Sequence, residues 1–184
     1  MIHLDKSLYL ASGEMRDVFL HPSNKKQCIK VEKTKALCSN KLEARFLEKY
    51  KNCQYLPECY GFHETNFGSG LVVEIIYDFD SKVSRSLEYY LETGELSPTD
   101  GSYYTSLVEA EFLSHNVLIH DDGLQNILLK RNRDQSFSPV MIDGLGPREM
   151  DRKTIFKVLF PFLARQKSRK VFGKMNKKIN KYPV

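Results

Sequence analysis

From Ser7 to Val31, β-branched and aromatic residues come in short runs broken by Ser12-Gly13 and by His21-Pro22-Ser23-Asn24. This pattern predicts a meander of three strands near 7–11, 17–21 and 27–32. Leu42, Phe46, Leu47 and Tyr50 then recur at helical spacing, so an amphipathic helix is expected over 40–51, capped by Ser39 or Asn40. Tyr55 to His63 and Leu71 to Tyr77 read as two further strands, the second apolar enough to lie centrally in a sheet.

The polar link Asp78 to Ser84 reads as a hinge, because beyond it the period changes. Leu87, Tyr90 and Leu91 are helically spaced, and so are Leu107, Ala110 and Leu113 after a break at Ser97-Pro98-Thr99-Asp100-Gly101. Val117-Leu118-Ile119 leads into a polar loop. Ile127 to Lys130 is expected to pair with Val140 to Ile142 across the polar segment Arg131 to Ser138. A helix near 151–166, kinked at Pro161, should follow, then a Lys-rich segment in which Val171, Met175, Ile179 and Tyr182 form one apolar stripe. Strands come first and helices later, so the class is α+β.

With 184 residues, 41% of them hydrophobic and 28% charged, the chain can bury a core as one domain or two small lobes. The longest apolar stretch, Val158 to Ala164, is far short of a bilayer span, and Met1 to Lys6 has no signal-peptide core. No transmembrane segment and a cytoplasmic location are expected. Cys28, Cys38, Cys53 and Cys59 form no C-x-x-C pair and read as reduced thiols. His3, His21, His63 and His115 are scattered and imply no metal cluster. Tyr103, Tyr104, Phe156, Phe160 and Phe162 fall at helical spacings and read as core packing.

Charge changes the picture. Residues 148–184 hold twelve Lys or Arg against Glu149 and Asp151, a net +10 that leaves −5 on the first 147. Such a tail can face phosphate, an anionic membrane, nucleic acid or water.

Candidate chemistry lies in three places. Ser12-Gly13-Glu14-Met15-Arg16-Asp17-Val18-Phe19 sits between two expected strands, where a turn can aim backbone N–H groups at phosphates. Gly13 holds one glycine position of a G-x-G-x-x-G-x-V pattern while Ala11 and Arg16 stand at the others. An ordinary hairpin accounts for the turn equally well, and Arg16 is a candidate phosphate contact. Cys28-Ile29-Lys30-Val31 sets a lysine in an apolar strand, where its ammonium needs an anion or an edge position from which to reach solvent. Glu43 on the next helix is the best carboxylate, although Asn40-x-x-Glu43 also fits a capping box.

His120-Asp121 is followed five residues later by Asn126, and Asp143-Gly144 lies downstream. A carboxylate opening a tight loop, an amide five residues on and a second carboxylate across a hairpin suit a magnesium-nucleotide site. Asp122-Gly123 and Asp143-Gly144 taken singly would each read as a turn. His120 reads as a residue that shapes the loop.

These residues resemble the protein-kinase-like superfamily and, more closely, the bacterial YrbL family described as PhoP regulatory network proteins. The resemblance rests on Gly13 through Pro22, Cys28-Ile29-Lys30-Val31, Gly70 through Asp80, and Asp121 through Leu129, and runs from about Ser7 to Gly146. It implies one bilobal kinase-like domain: a β-rich N-lobe over 1–78, a reduced, mostly helical C-lobe core over 79–147, and a basic helical segment over 148–184. ATP would lie between the lobes, its adenine meeting backbone near Ile76 to Asp78. Lys30 becomes the phosphate-contacting lysine, Glu43 its partner, Asp121 the catalytic aspartate, and Asn126 and Asp143 the Mg²⁺ ligands, with Gly13 and Arg16 also on the nucleotide.

The chain departs from the kinase pattern in its single loop glycine, in the missing Arg between His120 and Asp121, and in Asp143-Gly144-Leu145 where D-F-G is usual. The 38 residues after Gly146 are too few for a conventional peptide platform. Phosphoryl transfer to a small molecule, or to a macromolecule gripped by the tail, is expected; a pseudokinase-like nucleotide-binding regulator is the alternative. A separate idea is that residues 167–184 bind RNA or an anionic membrane surface, the apolar stripe inserting or docking, but the favoured reading packs that stripe on the helical lobe with the lysines in solvent.

Overall fold

In the computed structural model, which describes residues 1–34, 39–146 and 160–183, the first three apolar runs become β1 (Tyr9–Ser12), β2 (Arg16–Leu20) and β3 (Gln27–Glu32). They pair antiparallel, as the turn residues between them predict. Helix α1 (Ser39–Lys49) follows, then β4 (Cys59–Thr65) and β5 (Gly68–Glu74). The sheet order is β1-β2-β3-β5-β4. With β3 inside the sheet, Ile29 and Val31 pack on one face with Leu4, Phe19 and Val72, and Lys30 points to the other, toward α1.

β4 starts four residues later than its apolar run, and β5 three residues earlier. The glycines decide the second case. Gly70 is inside β5, where a Cβ would come within 2.4 Å of the Ile29 side chain, so the strand uses the missing side chain for close approach.

Met1–Lys51 and Pro57–Ile76 form a first compact unit; Asn52–Leu56 and Tyr77–Val184 form a second. The short segment 52–56 belongs to the second because its backbone is tied there: the Met141 amide donates to the Tyr55 carbonyl at 2.9 Å, and the Gln54 amide to Glu111 Oε1 at 3.0 Å.

The second unit is mostly helical, with α2 (Leu87–Glu92), α3 (Pro98–Ser114) and α4 (Pro161–Ile179) around a three-stranded sheet of β6 (Arg85–Ser86), β7 (Ile127–Arg131) and β8 (Phe137–Met141). The fold is therefore α+β, with the β-rich unit first, as expected. The link read as a hinge is a closed turn. Asp78 accepts from Ser84 Oγ at 2.6 Å and from the Arg131 amide at 2.8 Å, and its own N–H donates to the Lys82 carbonyl.

Several expectations change. The Ser97 to Gly101 break is the start of α3: Ser97 caps it in a reciprocal capping box with Asp100, and Pro98 takes the first turn. Its buried face runs through Gly101, Thr105, Val108 and Phe112, while Ala110 is exposed. Apolar residues lie all around α3, so spacing does not mark its inner side; small Gly101 does, letting Leu91 and Ile179 approach. Tyr103 accordingly faces solvent, as do Phe160 and Phe162, although Tyr104 packs on Phe137; Phe156 lies outside the described residues.

Pro161 does not kink a helix but opens α4, because Phe160 before it is extended. Residues 151–159 of the expected helix lie outside the described residues. The Lys-rich stretch continues α4, and its stripe is internal: Ala164, Ser168, Val171, Phe172, Met175 and Ile179 are buried, with Phe172 edge-on to Phe112 of α3. The stripe thus packs on the helical unit, the favoured reading, and Val171, Met175 and Ile179 are not available to insert into a membrane. Among the described residues no helix is long and apolar enough to cross one.

Candidate active site

Each unit carries its own constellation. In the first, Lys30 Nζ donates to Glu43 Oε1 at 2.7 Å, and both residues are buried, 8% and 7% exposed. Central placement of β3 removes the solvent route that an edge lysine would have. Arg16 Nη1 meets the other carboxylate oxygen of Glu43 and also donates to Asn40 Oδ1 at 3.4 Å. Asn40 Nδ2 donates to the Lys30 carbonyl at 2.8 Å, which pins α1 to β3. Glu43 is thus held between two cations instead of closing a capping box. A buried carboxylate needs such charge-assisted bonds to offset its desolvation.

Arg16, a candidate phosphate contact, is drawn onto Glu43. The Gly13 amide donates to the Arg16 carbonyl at 2.8 Å, and the Gly13 carbonyl accepts from Lys33 Nζ at 2.7 Å, so this turn is a bonded hairpin. Ile76 is buried at the end of the first unit.

In the second unit the loop after Ile119 is laced to the segment around Gly144. His120 N–H donates to the Gly144 carbonyl, His120 Nδ1 lies 3.0 Å from the Gly146 carbonyl, and the Gly146 amide donates to the Leu118 carbonyl. Asp121 Oδ1 accepts from the Gly123 amide at 2.9 Å, and a 3₁₀ turn over Leu124–Asn126 carries the chain into β7. The Asn126 carbonyl accepts from the Ile142 amide at 2.8 Å.

These bonds set Gly144, at φ +76°, directly against two of the expected residues. A Cβ there would lie 2.8 Å from the Asp121 Cβ and 3.2 Å from Asn126 Nδ2. Asp121, Asn126 and the Asp143-Gly144 turn therefore come together. Asn126 is 7% exposed and its Nδ2 has no hydrogen-bond partner. Asp143 Oδ1 accepts from the Gly144 amide at 2.8 Å. The Asp143 carboxylate and the side-chain amide oxygen of Asn126 are hard donors of the kind magnesium takes.

The neighbouring aspartates part company. Asp122 accepts from Lys178 of α4, which holds its carboxyl below the ordinary range. Ser168 of α4 donates to the Val117 carbonyl at 2.8 Å and accepts from the Ile119 amide at 3.1 Å. Sequence reasoning missed this role for the tail. Its signal was a serine at a core position of the apolar stripe.

A second grouping was also missed. His115, scattered from the other histidines, sits with Cys53 and Glu111, their ligand atoms within 4.8 Å of one another. The other histidines stay apart from it, and only the i, i+4 relation of Glu111 and His115 was visible in the sequence.

A β-rich unit holding a buried Lys–Glu pair is followed along the chain by a mostly helical unit with a polar loop and hairpin, an α+β protein with two polar constellations. The chain belongs to the YrbL family: the family described as PhoP regulatory network protein YrbL matches residues 2–180. Uncharacterized YrbL proteins from Escherichia coli strain K12 and Shigella flexneri are each 28% identical over 155 residues, covering 79% of this chain and 74% of the relative. Among solved structures, the crystal structure of a double mutant of the PknI kinase domain from Mycobacterium tuberculosis superposes with a TM-score of 0.49 at 14% identity. That match covers 74% of this chain, which spans 56% of the PknI chain.

Proposed function

We propose that this YrbL-family chain is an ATP- and magnesium-dependent phosphotransferase acting on a hydroxyl-bearing acceptor. The observation that carries the reading is Asn126, a buried amide with an unpartnered nitrogen packed beside Asp121 and Gly144. Buried polar atoms are nearly always satisfied. A half-turn of the amide presents its oxygen in the same place, where a cation would satisfy it.

In this reading Asn126 and Asp143 hold magnesium, which neutralises charge on the phosphates. Lys30 contacts a nucleotide phosphate, and Glu43 keeps its ammonium oriented. Asp121 takes the acceptor hydroxyl's proton as the oxygen bonds to the terminal phosphorus; the bond to the leaving oxygen breaks and ADP departs. Ile76 contributes backbone near the adenine, while the Asp78 amide is engaged by Lys82.

Thermal unfolding with millimolar magnesium-ATP should raise the wild-type midpoint and leave Asp143→Ala unmoved; an unshifted wild type overturns the reading. ADP release should disappear in Asp121→Ala.

A specific observation favours a second reading, a pseudokinase-like nucleotide-binding regulator. The first hairpin's candidate phosphate donors, Gly13 N–H and Arg16, are both engaged within the protein. Nucleotide binding without ADP release in wild type selects it. The exposed cations of α4, among them Arg169, Lys170, Lys174 and Lys177, support binding of RNA or an anionic membrane surface, and such binding should weaken steeply as salt rises.

A further inference from the structure

Outside the kinase-like constellations, the second unit brings three metal-ligating side chains together from two segments. Glu111 and His115 stand one turn apart at the C-terminal end of α3, His115 being its cap residue. That spacing sets both on one helix face. Cys53 comes from the 52–56 segment, which crosses to this unit and is fastened there by Gln54 N–H on Glu111 Oε1 and by Tyr55 on Met141. One oxygen, one nitrogen and one sulfur all lie within 4.8 Å of one another. Rotamer adjustment closes such a span to the roughly 3.2–3.8 Å between ligands of a tetrahedral zinc.

We propose that Cys53, Glu111 and His115 bind a zinc ion, with water in the fourth position. The donor set argues for the metal. Thiolate and imidazole are borderline-to-soft ligands that select zinc over magnesium or calcium, and a carboxylate completes a mixed set that zinc accepts. The graded exposure argues for the open position: Cys53 is buried, Glu111 half-buried and His115 exposed, so the cluster opens to solvent on the histidine side. Coordination requires Cys53 as thiolate, and its proton leaves to solvent. His115 Nδ1 now lies near the Glu111 carbonyl, at 3.1 Å, and near Ser114 Oγ, at 2.9 Å, so the ring gives up these bonds on binding.

The site has a structural consequence. Zinc would clamp segment 52–56 to the end of α3, and the same segment accepts the Met141 amide two residues before Asp143. The ion would brace the strand that presents Asp143.

Cobalt(II) substitution and zinc calorimetry on the tag-free full chain test the proposal. One equivalent of cobalt should give a thiolate-to-metal charge-transfer band, which zinc abolishes by displacement. Cys53→Ser should lose the band, and His115→Ala, exposed and safe for folding, should weaken zinc binding at least tenfold. Absence of the band in wild type, or a band and zinc affinity unchanged in His115→Ala, overturns the assignment. Because the readout is metal binding and not phosphotransfer, it stands or falls separately from the proposed function.

Discussion

Lys178 donates to both the main-chain carbonyl and a carboxylate oxygen of Asp122, each at 3.0 Å. One cation on the last turn of α4 thus fixes the residue that follows Asp121. Together with Ser168, it makes the basic C-terminal helix a support for the loop, whatever else its outer face meets.

This bond makes stability depend on pH in a stated direction. The Lys178 hydrogen bond holds the folded Asp122 carboxyl below its ordinary value of 3.8, so its contribution is present above that value and is lost as pH falls through the depressed one. Asp122→Asn should therefore cost up to about 1 kcal/mol at pH 7, small because the pair is partly exposed. The gap from wild type should narrow in urea unfolding as pH is taken below 3.8, and a gap that widens there contradicts the assignment.

Ser168 should be the more sensitive position. Ser168→Ala leaves the Ile119 amide buried without its acceptor, at a cost of about 1–3 kcal/mol. Hydrogen exchange at Ile119 should quicken in the variant. Unchanged protection there would show that the bond is dispensable.

Glu43 and Lys30 should not be equivalent. Removing Lys30 leaves Glu43 with Arg16, whereas removing the Glu43 charge takes away the counter-ion common to both cations. Glu43→Gln should thus lower the unfolding midpoint more than Lys30→Met, by a margin on the order of 1–2 kcal/mol. Equal losses would indicate that Arg16 does not compensate.

Gly144 can be tested against a glycine that differs only in its surroundings. Both Gly144 and Gly61 have positive φ, but a Cβ on Gly61 meets nothing within 4 Å while one on Gly144 presses on Asp121. Gly61→Ala should cost about 1 kcal/mol from backbone strain alone. Gly144→Ala should cost more and should also abolish the magnesium-ATP shift. Wild-type nucleotide response in Gly144→Ala would remove Asp121 and Asn126 from the site.

Cys28 provides a simpler check. Burial pushes its thiol up to about 11, so native protein at pH 8 should leave it unalkylated by iodoacetamide while urea exposes it. Mass spectrometry of the digested protein reads the difference.

Much of the first unit was legible because strand alternation and turn residues are local signals. A lysine amid Cys28, Ile29 and Val31, followed by a helix carrying Glu43, was enough to expect the ion pair that forms. Arg16 as its third member was not legible, since nothing in the spacing says which side of a hairpin an arginine reaches. The ends of β4 and β5 shifted because Gly70 packs against Ile29 across the sheet, a relation between distant residues.

The sequence by itself determined the order of strands and helices and the spacing of Lys30, Glu43, Asp121, Asn126 and Asp143, because side-chain period and turn chemistry act over a few residues. Only the tertiary structure decided which face of α3 is buried, that the stripe of α4 lies in the core beneath the Asp121 loop, and that Cys53 meets Glu111 and His115. Those outcomes depend on which surfaces cover one another. A charge-rich segment reads the same whether its apolar stripe meets a membrane or Phe112, and packing against α3 is what distinguishes the two.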